Sequence, residues 1–140
     1  MATIEEILHN YNFVSYTICG NSMWPLLKEG VDVVFISNKI DPIGLYDVVL
    51  TKRPSGRLVL HRVVCIAQDG TYRICGDNSY KRDCGIKRCE IIGKLEYIIR
   101  NNKRNDLNSF LYKIGIRFWC HFFFIRKPIL AIIKMVNHKQ

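Results

Sequence analysis

The feature that most constrains the fold is a series of short, β-branched runs in the middle of the chain. The runs are residues 31–36, 46–51, 58–66, 72–75 and 91–99. Turn-forming segments lie between them, and the last two are typical of β-hairpins: Asp41-Pro42-Ile43-Gly44, Pro54-Ser55-Gly56 and Asp69-Gly70. No helical periodicity separates these runs. The pattern therefore predicts a mainly β domain, built as a compact antiparallel β-barrel or sandwich.

Both ends of the chain show helical patterns instead. Thr3 followed by Glu6 is a capping-box pattern, which predicts a short N-terminal helix within residues 1–16. In the C-terminal part, apolar residues recur at helical spacing, and Pro128 interrupts this pattern before a second run at 129–136. We therefore expect three parts: the N-terminal helix (1–16), a β domain (17–100) and a basic, aromatic-rich, amphipathic helical tail (101–140).

The positive charge of the chain is concentrated in this tail. The 140 residues have a formal net charge of +9. Residues 101–140 contain eight Lys or Arg against Asp106 alone, a balance of +7, which leaves +2 for the first hundred residues. A basic, aromatic helix fits the surface of an anionic membrane. The alternative is a helix packed on the β domain with its lysines extending to solvent. No recognition motif accompanies the charge, so nucleic acid is not an expected partner.

No segment of the sequence predicts secretion or a membrane span. The first 16 residues include Glu5, Glu6, His9, Asn10 and Asn12 and lack the apolar core of a secretory leader. The longest uncharged stretch of the tail, 118–125, is too short to cross a bilayer. The six cysteines lack a Cys-x-x-Cys pair, so neither a metal, a cofactor nor a disulfide is expected, and reduced thiols are the default. The expected location is therefore the membrane surface or the cytoplasm.

Three motifs contain the residue types of a serine peptidase. They are Gly20-Asn21-Ser22-Met23-Trp24-Pro25, then His61-Arg62-Val63, then Gly76-Asp77-Asn78 with a further Asp83. A serine hydroxyl needs a neighbouring base to remove its proton as it attacks a carbonyl carbon. An imidazole, which titrates near about pH 6.5, can accept and return that proton. An acidic side chain would fix the tautomer of the imidazole and stabilise its charged form.

The order and spacing of these motifs resemble the type I signal peptidases and their relatives, over roughly residues 17–100. Most bacterial members and the related self-cleaving repressors have lysine at the position of His61. The chain is therefore similar to the histidine-base branch found in the endoplasmic reticulum, archaea and some bacilli. The resemblance implies an all-β peptidase fold. It also implies that Ser22 is the nucleophile, that its own N–H helps to bind the oxyanion, that His61 is the general base and that Asp83 orients it.

The remaining motif residues have supporting roles in this interpretation. Asp77 is the second candidate for the orienting acid and is otherwise a structural carboxylate of its loop. Met23 and Pro25 shape the turn that holds the nucleophile. Arg62 is expected to be solvated or to bridge loops, with contact to substrate as the alternative, and Asn78 is expected to stabilise its own turn.

Three features depart from the family pattern, and two of them are local changes in loops. The segment after the nucleophile reads Gly30-Val31-Asp32-Val33, with the carboxylate moved by one position, and Tyr46-Asp47 replaces a Gly-Asp. The 21 residues before Ser22 also contain no run of about 20 mostly apolar residues, so the family's N-terminal membrane anchor is not expected in this segment. Neither local change touches the predicted triad.

The sequence thus predicts a serine endopeptidase of the signal-peptidase type. Its substrate would be a precursor protein with a signal or leader peptide, and the resemblance implies small residues such as Ala on the N-terminal side of the cut. Alternatively, the enzyme would trim the leader of a small modified peptide from the cytoplasmic side. Self-cleavage, as in the repressor relatives, is a second hypothesis. It is disfavoured because no DNA-binding segment is expected before the β domain and because the base would be His61 rather than lysine. The third is a non-catalytic adaptor that uses the tail to bind a membrane or a partner.

Overall fold

A computed structural model describes residues 1–137 of the chain, and within them it forms eight β-strands and three α-helices. The strands are β1 Phe13–Thr17, β2 Val33–Ser37, β3 Val48–Lys52, β4 Leu58–Ile66, β5 Tyr72–Cys75, β6 Arg82–Ile86, β7 Ile91–Arg100 and β8 Lys103–Asp106. The helices are α1 Ile4–Tyr11, α2 Phe110–His121 and α3 Arg126–Asn137, and two 3₁₀ turns lie at Arg88–Glu90 and Phe123–Ile125. The chain divides into two compact units, Met1–Leu107 and a C-terminal unit that begins at Asn108.

All eight described strands pair antiparallel in one sheet. Their order is β1-β2-β7-β3-β4-β5-β6. β8 is not part of this series: it pairs with the C-terminal half of β7, whereas β3 pairs with the N-terminal half. The prediction of a mainly β, antiparallel domain is confirmed. The described strands do not close into a barrel, however, because β1 pairs with β2 alone and β6 with β5 alone, which leaves the sheet two open edges.

The central strands bury side chains on both faces of the sheet. In β3, Val48 and Leu50 belong to one apolar cluster, whereas Val49 belongs to a second. Successive residues of a strand point to opposite faces, so the two clusters lie on opposite sides of the sheet. The first cluster also contains Leu8 of α1 and Met23 of the loop after β1. The core therefore fixes the base of the loop that contains Ser22.

The predicted capping box at the N-terminus is confirmed. The Glu6 N–H donates to Thr3 Oγ1 at 3.2 Å, and the Thr3 N–H donates to Glu6 Oε2 at 2.8 Å. The helix is shorter than the predicted segment 1–16, because the chain turns at Asn12, where φ is 64°, and continues as β1. Left-handed backbone at the C-cap is a common way to end a helix.

Two further strands lie where the sequence predicted other structure. Asp83, which was expected in a polar loop, lies on β6. Residues 103–106, which were assigned to the tail, form β8 and pair with β7.

The C-terminal unit consists of α2 and α3 joined by the turn Phe123–Ile125. Ser109 caps α2, its Oγ accepting a hydrogen bond from the Tyr112 N–H at 3.2 Å. The sequence predicted that Pro128 would break the helical pattern, but Pro128 lies inside α3, in its first turn. Proline is tolerated there because the N–H groups of the first turn have no acceptor within the helix. The break lies at Phe123–Ile125 instead.

Among residues 1–137, no helix has both the length and the apolar character needed to cross a bilayer.

Candidate active site

Ser22 lies in the loop between β1 and β2, on a turn that the core anchors. Met23 is only 2% exposed, whereas Ser22 next to it is exposed. The turn is closed by the Trp24 N–H donating to Asn21 O at 3.1 Å and by the Leu27 N–H donating to Met23 O at 2.9 Å. Half-buried Pro25 lies between these two bonds. The serine therefore stands at the surface on a firmly held backbone.

The loop after β5 holds the serine loop from the other side. The backbone N–H of Asn78 donates to Ser22 O at 2.9 Å, and the Asn78 side chain donates to Asn21 O at 3.1 Å. The side chain of Asn78 thus joins two loops rather than stabilising its own turn. This cross-link brings the Gly-Asp-Asn motif and the serine motif together.

Arg62 and Asp77 form a buried, two-pronged ion pair beneath this cross-link. Arg62 Nε and one terminal nitrogen donate to the two carboxylate oxygens of Asp77, at 2.8 and 2.7 Å. Another guanidinium nitrogen of Arg62 donates to Tyr46 O at 2.8 Å. Both side chains are fully buried, with exposures of 0% and 2%. Arg62 therefore bridges loops, and Asp77 acts as a structural carboxylate of its loop.

His61 and Ser22 approach one another across Gly76. A Cβ atom placed on Gly76 would lie 3.2 Å from His61 Nε2 and 2.5 Å from the backbone oxygen of Ser22. Both atoms therefore border the same small space, which is open because residue 76 has no side chain. His61 Nε2 is thus the ring nitrogen nearer the backbone of Ser22 at Gly76, and it is the nitrogen that a general base would use.

The other ring nitrogen of His61 faces Asp83. The distance from His61 Nδ1 to Asp83 Oδ2 is 3.5 Å, which is an ion-pair distance and longer than a good hydrogen bond. Within the described residues, Nδ1 is buried and has no hydrogen-bond partner. The same oxygen of Asp83 accepts a hydrogen bond from a terminal nitrogen of Arg53 at 2.5 Å. Asp83 is thus placed behind the imidazole but is shared with an arginine.

The surroundings of His61 favour its neutral form. Its side chain is 13% exposed, and burial lowers the pKa of His61 below its ordinary value of 6.5. The negative charge of Asp83 opposes this shift, and the positive charge of Arg53 adds to it. Because a general base must be unprotonated before it acts, the direction of the shift suits that role.

The predicted triad lines one open cleft of about 840 Å³ in the N-terminal unit. Its walls come from the end of β1, the serine loop, strand β4 and the turn between β3 and β4. Ser22, His61 and Asp83 all belong to this lining, as do Arg53 and Arg57.

Two residues of the site were not identified from the sequence. Arg53 holds Asp83, and Gly76 leaves open the space bordered by His61 Nε2 and the backbone oxygen of Ser22. Gly76 is the first residue of the Gly-Asp-Asn motif. A glycine inside a motif of candidate site residues was the available signal that a side chain is disfavoured at this position. The signal for Arg53 was weaker. Arg53 begins the hairpin turn before β4, and β4 is the strand that contains His61.

We expect Gly76→Ala to reduce any activity of the site strongly. The new methyl group would lie 2.5 Å from the backbone oxygen of Ser22, so the serine loop would have to shift. Displacements of about 1 Å near reacting groups cost on the order of 10²-fold in rate. Gly44→Ala is the matched control, because its methyl group would make only ordinary contacts of 3.5 Å or more with Asp47. Equal activity of both variants would contradict this arrangement of Gly76.

No protein-family model, curated protein or solved structure matches the chain.

Proposed function

We propose that the chain is a serine endopeptidase of the signal-peptidase type, with Ser22 as nucleophile, His61 as general base and Asp83 as the orienting acid. The supporting observation is the convergence at Gly76, where His61 Nε2 borders the backbone of Ser22 while Asp83 lies 3.5 Å behind the opposite ring nitrogen. The three residues come from a loop, β4 and β6, and meet at one cleft.

The first chemical step would form an acyl-enzyme. Ser22 Oγ attacks the carbonyl carbon of the scissile peptide bond as its proton passes to His61 Nε2. The carbonyl oxygen becomes an oxyanion, which the backbone N–H of Ser22 stabilises. His61 then gives the proton to the leaving amine, the C–N bond breaks, and the N-terminal part of the substrate remains as an ester on Ser22.

The second step reverses these roles with water. His61 Nε2 removes a proton from a water molecule as the oxygen of that water attacks the ester carbon. The C–O bond to Ser22 breaks, and His61 returns the proton to the serine oxygen. Asp83 would keep the Nδ1 proton on the side away from Ser22 during both steps, which leaves Nε2 free to accept.

The proposed substrate is an extended precursor segment with a signal or leader peptide. The cleft is open, and Ile18, Met23 and Leu60 contribute apolar side chains to the lining that also contains Ser22. Resemblance to the signal peptidases favours small side chains such as Ala before the cut. Incubating the full chain with leader-bearing precursors of this kind should give a single internal cut, mapped by mass spectrometry of the two products.

The pH dependence of kcat/KM should identify His61 as the base. Since burial lowers the pKa of His61, the acid limb of the profile should have its midpoint below pH 6.5. Arg53→Gln removes a positive charge that lowers the pKa of His61, so the limb should move to higher pH. Asp83→Asn removes a negative charge that raises the pKa of His61, so the limb should move to lower pH, with a slower reaction.

Arg57→Gln is the control for this experiment, because Arg57 lines the same cleft and is not among the charges that shift the pKa of His61. Its acid limb should match that of the unchanged protein. Shifts of Arg53→Gln and Asp83→Asn in the same direction would contradict the assignment of the base.

A further inference from the structure

Helix α2 has a stripe of large apolar side chains that face solvent. Phe110, Ile114, Phe118 and Phe122 follow one another at spacings of four residues, so they lie along one side of the helix. Phe110 is 76% exposed and Phe118 is 63% exposed. The rings of Phe118 and Phe122 pack together with centroids 4.3 Å apart. The exposed stripe is therefore continuous along the helix.

Helix α2 has a second apolar face, opposite the exposed stripe, and this second face is partly shielded from solvent. Tyr112, Ile116 and Trp119, also at spacings of three and four residues, are half-buried and lie on the opposite side of the helix. A helix that packs only against a protein core needs one apolar face. Helix α2 has two, and the stripe is the more exposed of the two.

Helix α3 and the turn before it extend the apolar surface. Ile125, Ile129, Ile132 and Val136 are exposed at helical spacing. The two stripes share a groove of about 350 Å³ within the C-terminal unit. Its apolar lining includes Ile114, Phe118 and Phe122 from the first stripe and Ile125 and Ile129 from the second. The stripes thus form one contiguous patch, hereafter the apolar patch.

The charged side chains in the described part of the C-terminal unit are all positive. Residues 108–137 contain five Lys or Arg and no Asp or Glu. Lys113 and Arg117 are exposed, are spaced four apart and lie beside the stripe of α2. Lys127 and Lys134 are exposed on the side of α3 away from its stripe. An exposed apolar patch with Lys113 and Arg117 beside it, on a unit whose Lys and Arg residues are not balanced by any Asp or Glu, is complementary to a surface that is apolar inside and anionic outside.

We propose that α2 and α3 dock on the surface of an anionic lipid bilayer. The aromatic and aliphatic side chains of the apolar patch would enter the boundary between headgroups and acyl chains. Lys113 and Arg117 would pair with lipid phosphates, their methylene stems lying along the apolar layer. This inference rests on the C-terminal unit and is independent of the chemistry proposed for Ser22.

The test is co-sedimentation of the full chain with two kinds of vesicle. One kind contains phosphatidylcholine alone, and the other contains phosphatidylcholine mixed with phosphatidylglycerol. We expect binding to the anionic vesicles, weakened by added salt because headgroup attraction is screened. Phe118→Ser and, separately, Ile132→Ser should each weaken this binding roughly tenfold through lost apolar burial. The double variant Lys113→Glu/Arg117→Glu should weaken it by more than roughly tenfold.

Matched controls change the same residue types in the N-terminal unit. Phe13→Ser removes a phenylalanine that is 56% exposed on β1, and Lys39→Glu reverses an exposed charge. Both should bind anionic vesicles as the unchanged chain does, and circular dichroism should show every variant folded. Absence of binding to anionic vesicles, or equal losses in the controls, would overturn the proposal. A dimer that dissociates in Phe118→Ser would also overturn it, because the apolar patch would then belong to a second copy.

Discussion

Replacing Ser22 with Ala should abolish cleavage of a precursor, and so should His61→Ala. In the proposed mechanism the first change removes the only atom that can form the acyl-enzyme, and the second removes the group that takes its proton. Loss of one member of such a triad typically costs about 10⁴-fold or more in kcat. Because the members act together, the double variant should be no slower than either single variant. The measurement is the rate of product formation from a leader-bearing precursor.

The cleft provides matched controls for both changes. Ser55 and Ser79 line the same cleft as Ser22, and His9 lies on α1, outside that lining. Ser55→Ala, Ser79→Ala and His9→Ala should all keep most of the activity. Cleavage that persists in Ser22→Ala or His61→Ala would count decisively against the mechanism.

The largest effect on stability should come from Asp77→Asn. The substitution keeps the size of the side chain but leaves the guanidinium of Arg62, which is 0% exposed, with an uncompensated buried charge. Breaking a buried ion pair in this way costs about 3–5 kcal/mol of the free energy of unfolding. Urea unfolding should measure that loss. Activity should fall as well, since Asp77 lies between Gly76 and Asn78, the two residues that contact the serine loop.

Asp41→Asn is the matched control, because Asp41 forms the same two-pronged pair with Arg88 at 2.9 and 2.7 Å. That pair is exposed, with side-chain exposures of 42% for Arg88 and 69% for Asp41. Exposed pairs contribute little because solvent screens them, so the unfolding curve should hardly move. Equal destabilisation by the two substitutions would show that the burial of Arg62 and Asp77 is unimportant.

Much of the fold follows from local pattern. Short β-branched runs and hairpin turns predicted the central strands, and Thr3 with Glu6 predicted the capping box that begins α1. Strands β1, β6 and β8 were not predicted. β6 and β8 contain almost no β-branched or aromatic residues, so their pairing with β5 and β7 defines them rather than local pattern. β1 directly follows α1 and fell largely within the segment assigned to the N-terminal helix. The open sheet could not be predicted either. Closure depends on whether the first and last strands of the sheet meet, which local pattern does not encode.

The site was predictable to the extent that its residues occur in recognisable motifs. The motifs named Ser22, His61 and Asp83, and the structure places all three around one cleft. The pairing of Arg53 with Asp83 could not be foreseen, since these residues are 30 positions apart and meet only through the packing of the sheet. The same holds for Asn78, whose side chain reaches Asn21 across 57 positions.

The most direct test of the central claim is acylation of Ser22 by an activated acetyl ester, which needs no knowledge of the natural substrate. We expect a burst of product equal to one acetyl group per chain, with the group located on Ser22 by tandem mass spectrometry. The burst should disappear in both Ser22→Ala and His61→Ala. If the folded protein shows no burst, or if His61→Ala is acetylated on Ser22 as fast as the unchanged chain, then His61 does not activate Ser22 and the proposed mechanism is wrong.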